Sequence, residues 1–193
     1  VEPKVLLAVE GYRYGRHAVS RVDELAAIHA GLPSLATTVV VPYGGAGWPS
    51  GHGTVSWDAL LAESGELDFA QVAPDHPLYV LYSSGTTGLP KPIVHGHGGV
   101  LVEHLKTIGL HGDMGADDRF LWFTTTGWMM WNYLVSGLLV GARLVLFDGD
   151  PAHDGPGTLW RLAADERVTW FGVGAPFITA CRRAGLAPGD EYD

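Results

Sequence analysis

Cysteine is almost missing from this chain of 193 residues: Cys181 stands alone. No intramolecular disulfide can form, so a reducing compartment, the cytoplasm, is the expected location. With Ile178 and Ala180 beside it, Cys181 reads as a packed helix position and not as a reactive thiol. Basic residues are scarce too. Twelve Lys and Arg stand against 21 Asp and Glu, a net charge of −9. The only adjacent basic pair, Arg182-Arg183, has no basic stripe around it, and a nucleic-acid partner is not expected. The start shows no charged segment followed by an apolar one of the kind that directs secretion. An uncharged run does occur, from Phe120 to Ala142, long enough to cross a bilayer as a helix. Thr124-Thr125-Thr126-Gly127, Asn132, Ser136-Gly137 and Gly141 interrupt it. A buried strand, Phe120 to Thr124, followed by a buried helix accounts for it better than a membrane span.

What is present is an apolar content of 47% with 17% charged residues, enough to bury the core of a globular domain. Strand-length apolar runs alternate with helical patterns. Strands are expected at Lys4 to Val9, Thr37 to Val41, Leu78 to Tyr82, Phe120 to Thr124, Arg143 to Phe147 and Val168 to Val173. Helices are expected over Ser20 to Leu32, Trp57 to Glu63, Gly98 to Leu110, Trp128 to Val140, Thr158 to Glu166 and Pro176 to Ala184. The first should open on a Ser20/Asp23 capping box and bury Val22, Leu25, Ile28 and Leu32. The third should bury Leu101, Leu105 and Ile108. Tyr43 to Gly53, rich in glycine and proline, reads as a loop. The alternation predicts an α/β fold, a layered and mostly parallel sheet with helices on both faces. Ligands of such sheets lie at the carboxyl ends of the strands.

One loop at such an end stands out: Ser83-Ser84-Gly85-Thr86-Thr87-Gly88-Leu89-Pro90-Lys91-Pro92. Glycines let backbone N–H groups approach phosphate oxygens, hydroxyls add donors, and an ammonium supplies counter-charge. The composition fits a polyphosphate cradle, whereas a plain Gly/Ser/Thr surface turn is the bland alternative. It is not a Walker A loop. Pro90 and Pro92 each remove a donor and disfavour helix in the preceding residue, so no helix can start at Lys91. Ile93-Val94 instead predicts a return strand, a lip over the phosphates.

The second unusual stretch is Trp122-Phe-Thr-Thr-Thr-Gly-Trp-Met-Met-Trp-Asn132. Aromatic and methionine side chains at helical spacing are commonly core. The Thr-Thr-Thr-Gly lead-in, however, puts Trp128, Met129, Met130, Trp131 and Asn132 at a strand end, where a mostly apolar pocket would form. Both readings stand. His95 and His97 form an H-x-H pair with no third ligand at suitable spacing. A structural role for them is expected, and no metal site.

Tyr82 to Lys91 resembles the phosphate-binding motif of the adenylate-forming superfamily, which runs Tyr-Thr-Ser-Gly-Ser/Thr-Thr-Gly-x-Pro-Lys-Gly. Ser83 stands where many members have threonine, and Pro92 where most have glycine. Over essentially the whole chain the likeness is to the acetoacetate–CoA ligase type of acyl-CoA synthetase. Val94-His-Gly-His-Gly-Gly99, Thr124-Thr-Thr-Gly-Trp-Met-Met-Trp-Asn132, Glu2-Pro-Lys-Val5 and Ala175-Pro-Phe177 carry it.

The resemblance implies a two-step reaction. A short acid, acetoacetate above all, attacks ATP to give an acyl-adenylate, and CoA then takes the acyl group as a thioester. ATP, Mg2+ and CoA would be needed, with small molecules as the only partners. Ser83, Ser84, Gly85, Thr86, Thr87, Gly88 and Lys91 would bind nucleotide, Thr87 and Lys91 in catalytic roles. Trp128 to Asn132 would line the acid pocket, and the Asn132 amide would hold a second oxygen such as a 3-keto group. The family's Tyr-Gly-x-Thr-Glu segment, its ribose-binding aspartate and its C-terminal lysine have no match after Lys91. With the start at Val1 and the bare end at Asp193, residues 1–193 are therefore expected to be part of an AMP-binding domain, cut from a longer protein and inactive in isolation. A ligase for another short acid such as propionate, and a non-catalytic nucleotide- or CoA-binding module, are the alternatives.

Overall fold

The computed structural model describes residues 2–45, 47, 53–83 and 88–192. The chain divides into two compact units, Val1–Asp68 and Phe69–Asp193.

In the first unit, β1 (Val5–Val9) alternates, with Leu6 and Ala8 half-buried and Val5, Leu7 and Val9 exposed. It leads into an antiparallel hairpin, β2 (Gly11–Tyr14) and β3 (His17–Ser20), and then α1 (Val22–Gly31). The chain returns through β4 (Thr37–Val41), parallel to β1 with Val5 opposite Thr37 and Val9 opposite Val41. A short β5 (Thr54–Ser56) pairs in parallel on the other side of β4. Thr38, Val39 and Val40 are buried in succession, as a central parallel strand covered on both faces requires. Ser56 then caps α2 (Trp57–Ala62), its Oγ accepting from the Ala59 N–H at 3.1 Å.

Two expectations fail here. Ser20 does not cap α1, because it is the last residue of β3 and is paired with Gly11. Arg21 takes the N-cap position, and its guanidinium donates to Glu24 and to the Tyr12 hydroxyl. Of the expected apolar face of α1 only Leu25 is buried, while Ile28 is exposed. Most of the Tyr43 to Gly53 loop lies outside the described residues.

The second unit opens with an antiparallel hairpin, β6 (Pro77–Ser83) and β7 (Lys91–Gly96). The return strand expected from Ile93-Val94 is therefore present. β7 runs directly into α3 (His97–Leu105), which widens into a π-helix over Lys106–His111. Next come β8 (Arg119–Trp122), α4 (Met129–Val135) with a 3-10 turn over Ser136–Val140, and β9 (Arg143–Val145). α5 (Thr158–Asp165), β10 (Trp170–Gly172), α6 (Ala175–Arg183) and α7 (Pro188–Glu191) complete it. β8 lies between β10 and β9, all parallel.

The expected α/β character and parallel pairing are thus present, distributed among the described residues over two three-stranded parallel sheets and two hairpins. The uncharged run Phe120 to Ala142 divides into strand and helix as expected, and no helix among the described residues is long and apolar enough to cross a membrane. Ile108, Met114, Phe120, Leu134 and Ala142 form the core of this unit. Phe120 meets Trp122, Tyr133 and Trp170 edge-on at 5.8 to 6.3 Å, the geometry aromatic quadrupoles favour. Cys181 is buried on α6, where its Sγ lies 3.5 Å from the Trp160 indole nitrogen.

The buried stripe of α3 differs from the expected one. Val100 and Ile108 are buried, whereas Leu101 and Leu105 are exposed. Both exposed leucines lie within the α-helical part, His97–Leu105, and Ile108 lies in the π-helix that continues it.

Candidate active site

Antiparallel pairing sets the mouth of the β6–β7 hairpin. Ser83 ends β6 directly opposite Lys91, which opens β7, with Tyr82 opposite Pro92. Cross-strand partners project to the same face, so the serine and the lysine flank the loop between them. Ser84, Gly85, Thr86 and Thr87 lie outside the described residues. Gly88 has φ of +156° and open space where a Cβ would be. Lys91 is exposed, and among the described residues its ammonium has no ion-pair or hydrogen-bond partner. Arg21, Lys106 and Arg119 each reach a glutamate, whereas Lys91 is among the described cations that do not. An unpaired ammonium beside a Gly/Ser/Thr loop is a ready anion partner.

The second candidate group lies at the carboxyl ends of β8 and β10. Trp122 and Gly172 are register partners, and the Phe123 N–H continues the pairing to the Gly172 carbonyl at 2.9 Å. A Cβ on Gly172 would come within 2.1 Å of the Trp122 ring. Only a glycine lets the indole lie against the neighbouring strand. The chain then turns, the Trp128 N–H reaching the Thr125 carbonyl at 3.0 Å, and α4 begins. Trp128 is 65% and Met129 55% exposed, Met130 and Asn132 are half-buried, and Trp131 packs against the Phe120 core. Core and surface readings of this stretch thus fall on different residues. The Asn132 carboxamide makes no hydrogen bond among the described residues, although its backbone carbonyl accepts from Ser136 Oγ at 2.9 Å. α3 joins the two groups, packing on β7 at one end and on the 3-10 turn after α4 at the other.

Shallow concavities exist elsewhere: about 660 Å3 on α6 between Ala175 and Ala184, and about 540 Å3 between Val102, Leu110 and Val140. Neither is lined by Lys91 or by Trp128 to Asn132. His95 lies opposite Tyr79 on β7, while the His97 N–H bonds the His76 carbonyl at 3.0 Å. Among the described residues no three His, Cys, Asp or Glu side chains gather as a metal site would require.

Two polar residues escaped the sequence reading. Glu10 is buried and its carboxylate accepts from the N–H groups of Tyr43 and Gly45. Burial alone would raise its pKa, but these backbone donors outweigh it and hold the carboxyl below the ordinary range. His104 is half-buried between Val100 and Ile108, at a spacing of four that the sequence displays. Burial, helped by His95, lowers its pKa against the opposing pull of Glu103.

Residues 1–192 match the family model described as "AMP-binding enzyme". The chain is 42% identical over 199 residues to an acetoacetyl-coenzyme A synthetase of Rhizobium meliloti, and 37% identical over 207 residues to an acetoacetyl-CoA synthetase of Gallus gallus. In both cases all of this chain aligns with 30% of the relative. The solved acetoacetyl-CoA synthetase from Streptomyces lividans superposes with a TM-score of 0.94 at 50% identity, again over the whole of this chain and 30% of that one. The chain therefore spans about 30% of the length of the relatives it matches.

Proposed function

As this chain belongs to the AMP-binding enzyme family, we propose that the protein carrying it is an ATP-dependent acid–CoA ligase whose acid is acetoacetate. The single observation that carries the reading is the hairpin mouth, where an exposed lysine without a counter-ion faces Ser83 across a loop of glycine and hydroxyl side chains. The names of the relatives and of the solved structure support the choice of acid.

In the first step an oxygen of the acid attacks the α-phosphorus of ATP. A carboxylate–phosphorus bond forms, the bond from that phosphorus to the bridging oxygen breaks, and pyrophosphate leaves with the electron pair. Ser83, Ser84, Gly85, Thr86, Thr87 and Gly88 would hold the β- and γ-phosphates, and Lys91 would offset the charge that builds on the leaving group. Trp128 to Met130 would form the wall along the acid, and the free Asn132 carboxamide would donate to its 3-keto oxygen. The CoA thiol then attacks the acyl carbonyl, and AMP departs. Mg2+ ordinarily accompanies nucleoside triphosphates and would neutralise phosphate charge. The described residues offer it no carboxylate cluster, and no step is assigned to it.

The test is pyrophosphate exchange into ATP by the full-length protein over a panel of short acids. Exchange should be fastest with acetoacetate. Lys91→Ala should slow it about a hundredfold, the scale of removing one oxyanion-stabilising donor, with the thermal midpoint little changed because the Lys91 ammonium makes no ion pair or hydrogen bond among the described residues. Retained ATP binding without exchange for any acid would identify a non-catalytic nucleotide module instead. Equal rates with acetoacetate and butyrate would remove the role given to Asn132.

A further inference from the structure

α3 and the π-helix that extends it place Val100, His104 and Ile108 on one stripe. The imidazole of His104 is thereby carried against α4 and the turn that follows it. Its Nδ1 lies 2.5 Å from Ser136 Oγ, and Ser136 Oγ donates to the Asn132 carbonyl at 2.9 Å. A hydroxyl has one proton. With that proton on the Asn132 carbonyl, the bond between His104 and Ser136 must be donated by Nδ1–H. Burial favours the neutral ring, and Nδ1–H is present in this tautomer whether or not Nε2 is protonated. The same ring meets Tyr133 edge-on at 5.7 Å.

α4 needs such a tie. It has seven residues, and its N-cap residue Trp128 makes no side-chain capping bond. A helix this short has little stability of its own, so its setting depends on tertiary contacts. We propose that His104 is a positioning residue for the acid pocket: through Ser136 it fixes the backbone of Asn132 and so the direction of the Asn132 carboxamide. Because α3 grows directly out of β7, the same helix that continues the phosphate hairpin sets the acid-reading residue. This rests on the ligase reading given above.

The experiment uses the full-length protein, unmodified and in three variants. His104→Phe keeps a ring beside Tyr133 and removes the donor. His104→Asn restores an N–H near the place of Nδ1. Ser136→Ala breaks the chain from the other side. His104→Phe and Ser136→Ala should each raise the KM for acetoacetate about tenfold, the scale of one lost buried hydrogen bond, and erode the preference over butyrate by a similar factor. KM for ATP should stay within twofold, and His104→Asn should recover most of both losses. Parallel changes in the KM values for acid and ATP that track the thermal midpoint, or His104→Asn behaving like His104→Phe, would make His104 a packing residue and overturn the proposal. Failure of the ligase reading is seen separately, in the unmodified protein. No exchange with any acid removes both proposals. A preference for another short acid removes only the choice of acetoacetate, and the KM for that acid then decides the role of His104.

Discussion

Glu10 directly follows β1 and turns its carboxylate toward the start of the loop after β4, accepting from Tyr43 at 3.1 Å and from Gly45 at 2.8 Å. Buried carboxylates are tolerated when such donors replace water. The donors hold the folded-state pKa below the unfolded value near 4.5. The ionised form is therefore the one the fold favours. Its stabilisation is complete above that value and is lost as pH falls through the folded pKa. Glu10→Gln should accordingly lower stability by about 2 kcal/mol at pH 7, as expected for bonds to a charged acceptor. In denaturant titrations of the two forms, the gap should close progressively below pH 4.5. A gap that persists unchanged into acid would show that shape, and not charge, is what Glu10 supplies. Exposed pairs such as Arg21 with Glu24 and Lys106 with Glu103 carry little of the stability by comparison.

Among the elements, the most demanding junction is β8 against β10, where Trp122 lies over Gly172. Gly172→Ala inserts a methyl where the ring already is and should cost about 3 kcal/mol, the upper end of overpacking penalties. The denaturant midpoint should fall with no change in the slope. Truncating the ring in the same molecule should return part of the loss, and an additive double variant would contradict this contact. β1, β4 and β8 were legible because their apolar runs are long or bounded by turn residues. The β6–β7 return was legible from the prolines around Lys91. The β2–β3 hairpin was not, since the alternation of Tyr12-Arg-Tyr14 covers only three residues and Ser20 imitates a helix cap. β5, three residues long, is too short for any period to register. The buried stripe of α3 was misassigned because apolar residues stand side by side along it: Leu101 and Leu105 imitate a buried face, while the adjacent Val100 is the residue that is buried. At the candidate site the loop and the Trp-Met-Met-Trp cluster were legible from composition. His104 was not, because one histidine between two apolar residues says nothing until its partner Ser136 is brought beside it.

At the scale of the whole molecule, much apolar surface is open to solvent. Val5 and Leu7 on β1, Val102 and Leu110 along α3 and its extension, and Leu138 after α4 are all more than half exposed. The chain spans about 30% of the length of its relatives, and isolated faces of this kind favour association. Produced alone, the 193 residues should give a weight-average mass in light scattering that rises with concentration, and should catalyse no exchange of pyrophosphate into ATP with acetoacetate. Measurable exchange by the chain alone would mean that it holds a complete site. The missing side chain at Gly172 reaches further than stability. It binds two positions, distant along the chain, into a single unit of inheritance. Lineages that enlarge residue 172 can survive only by shrinking the ring at 122, and lineages that keep the indole must keep the glycine. In any collection of descendants a larger residue at 172 should therefore occur only beside a smaller one at 122.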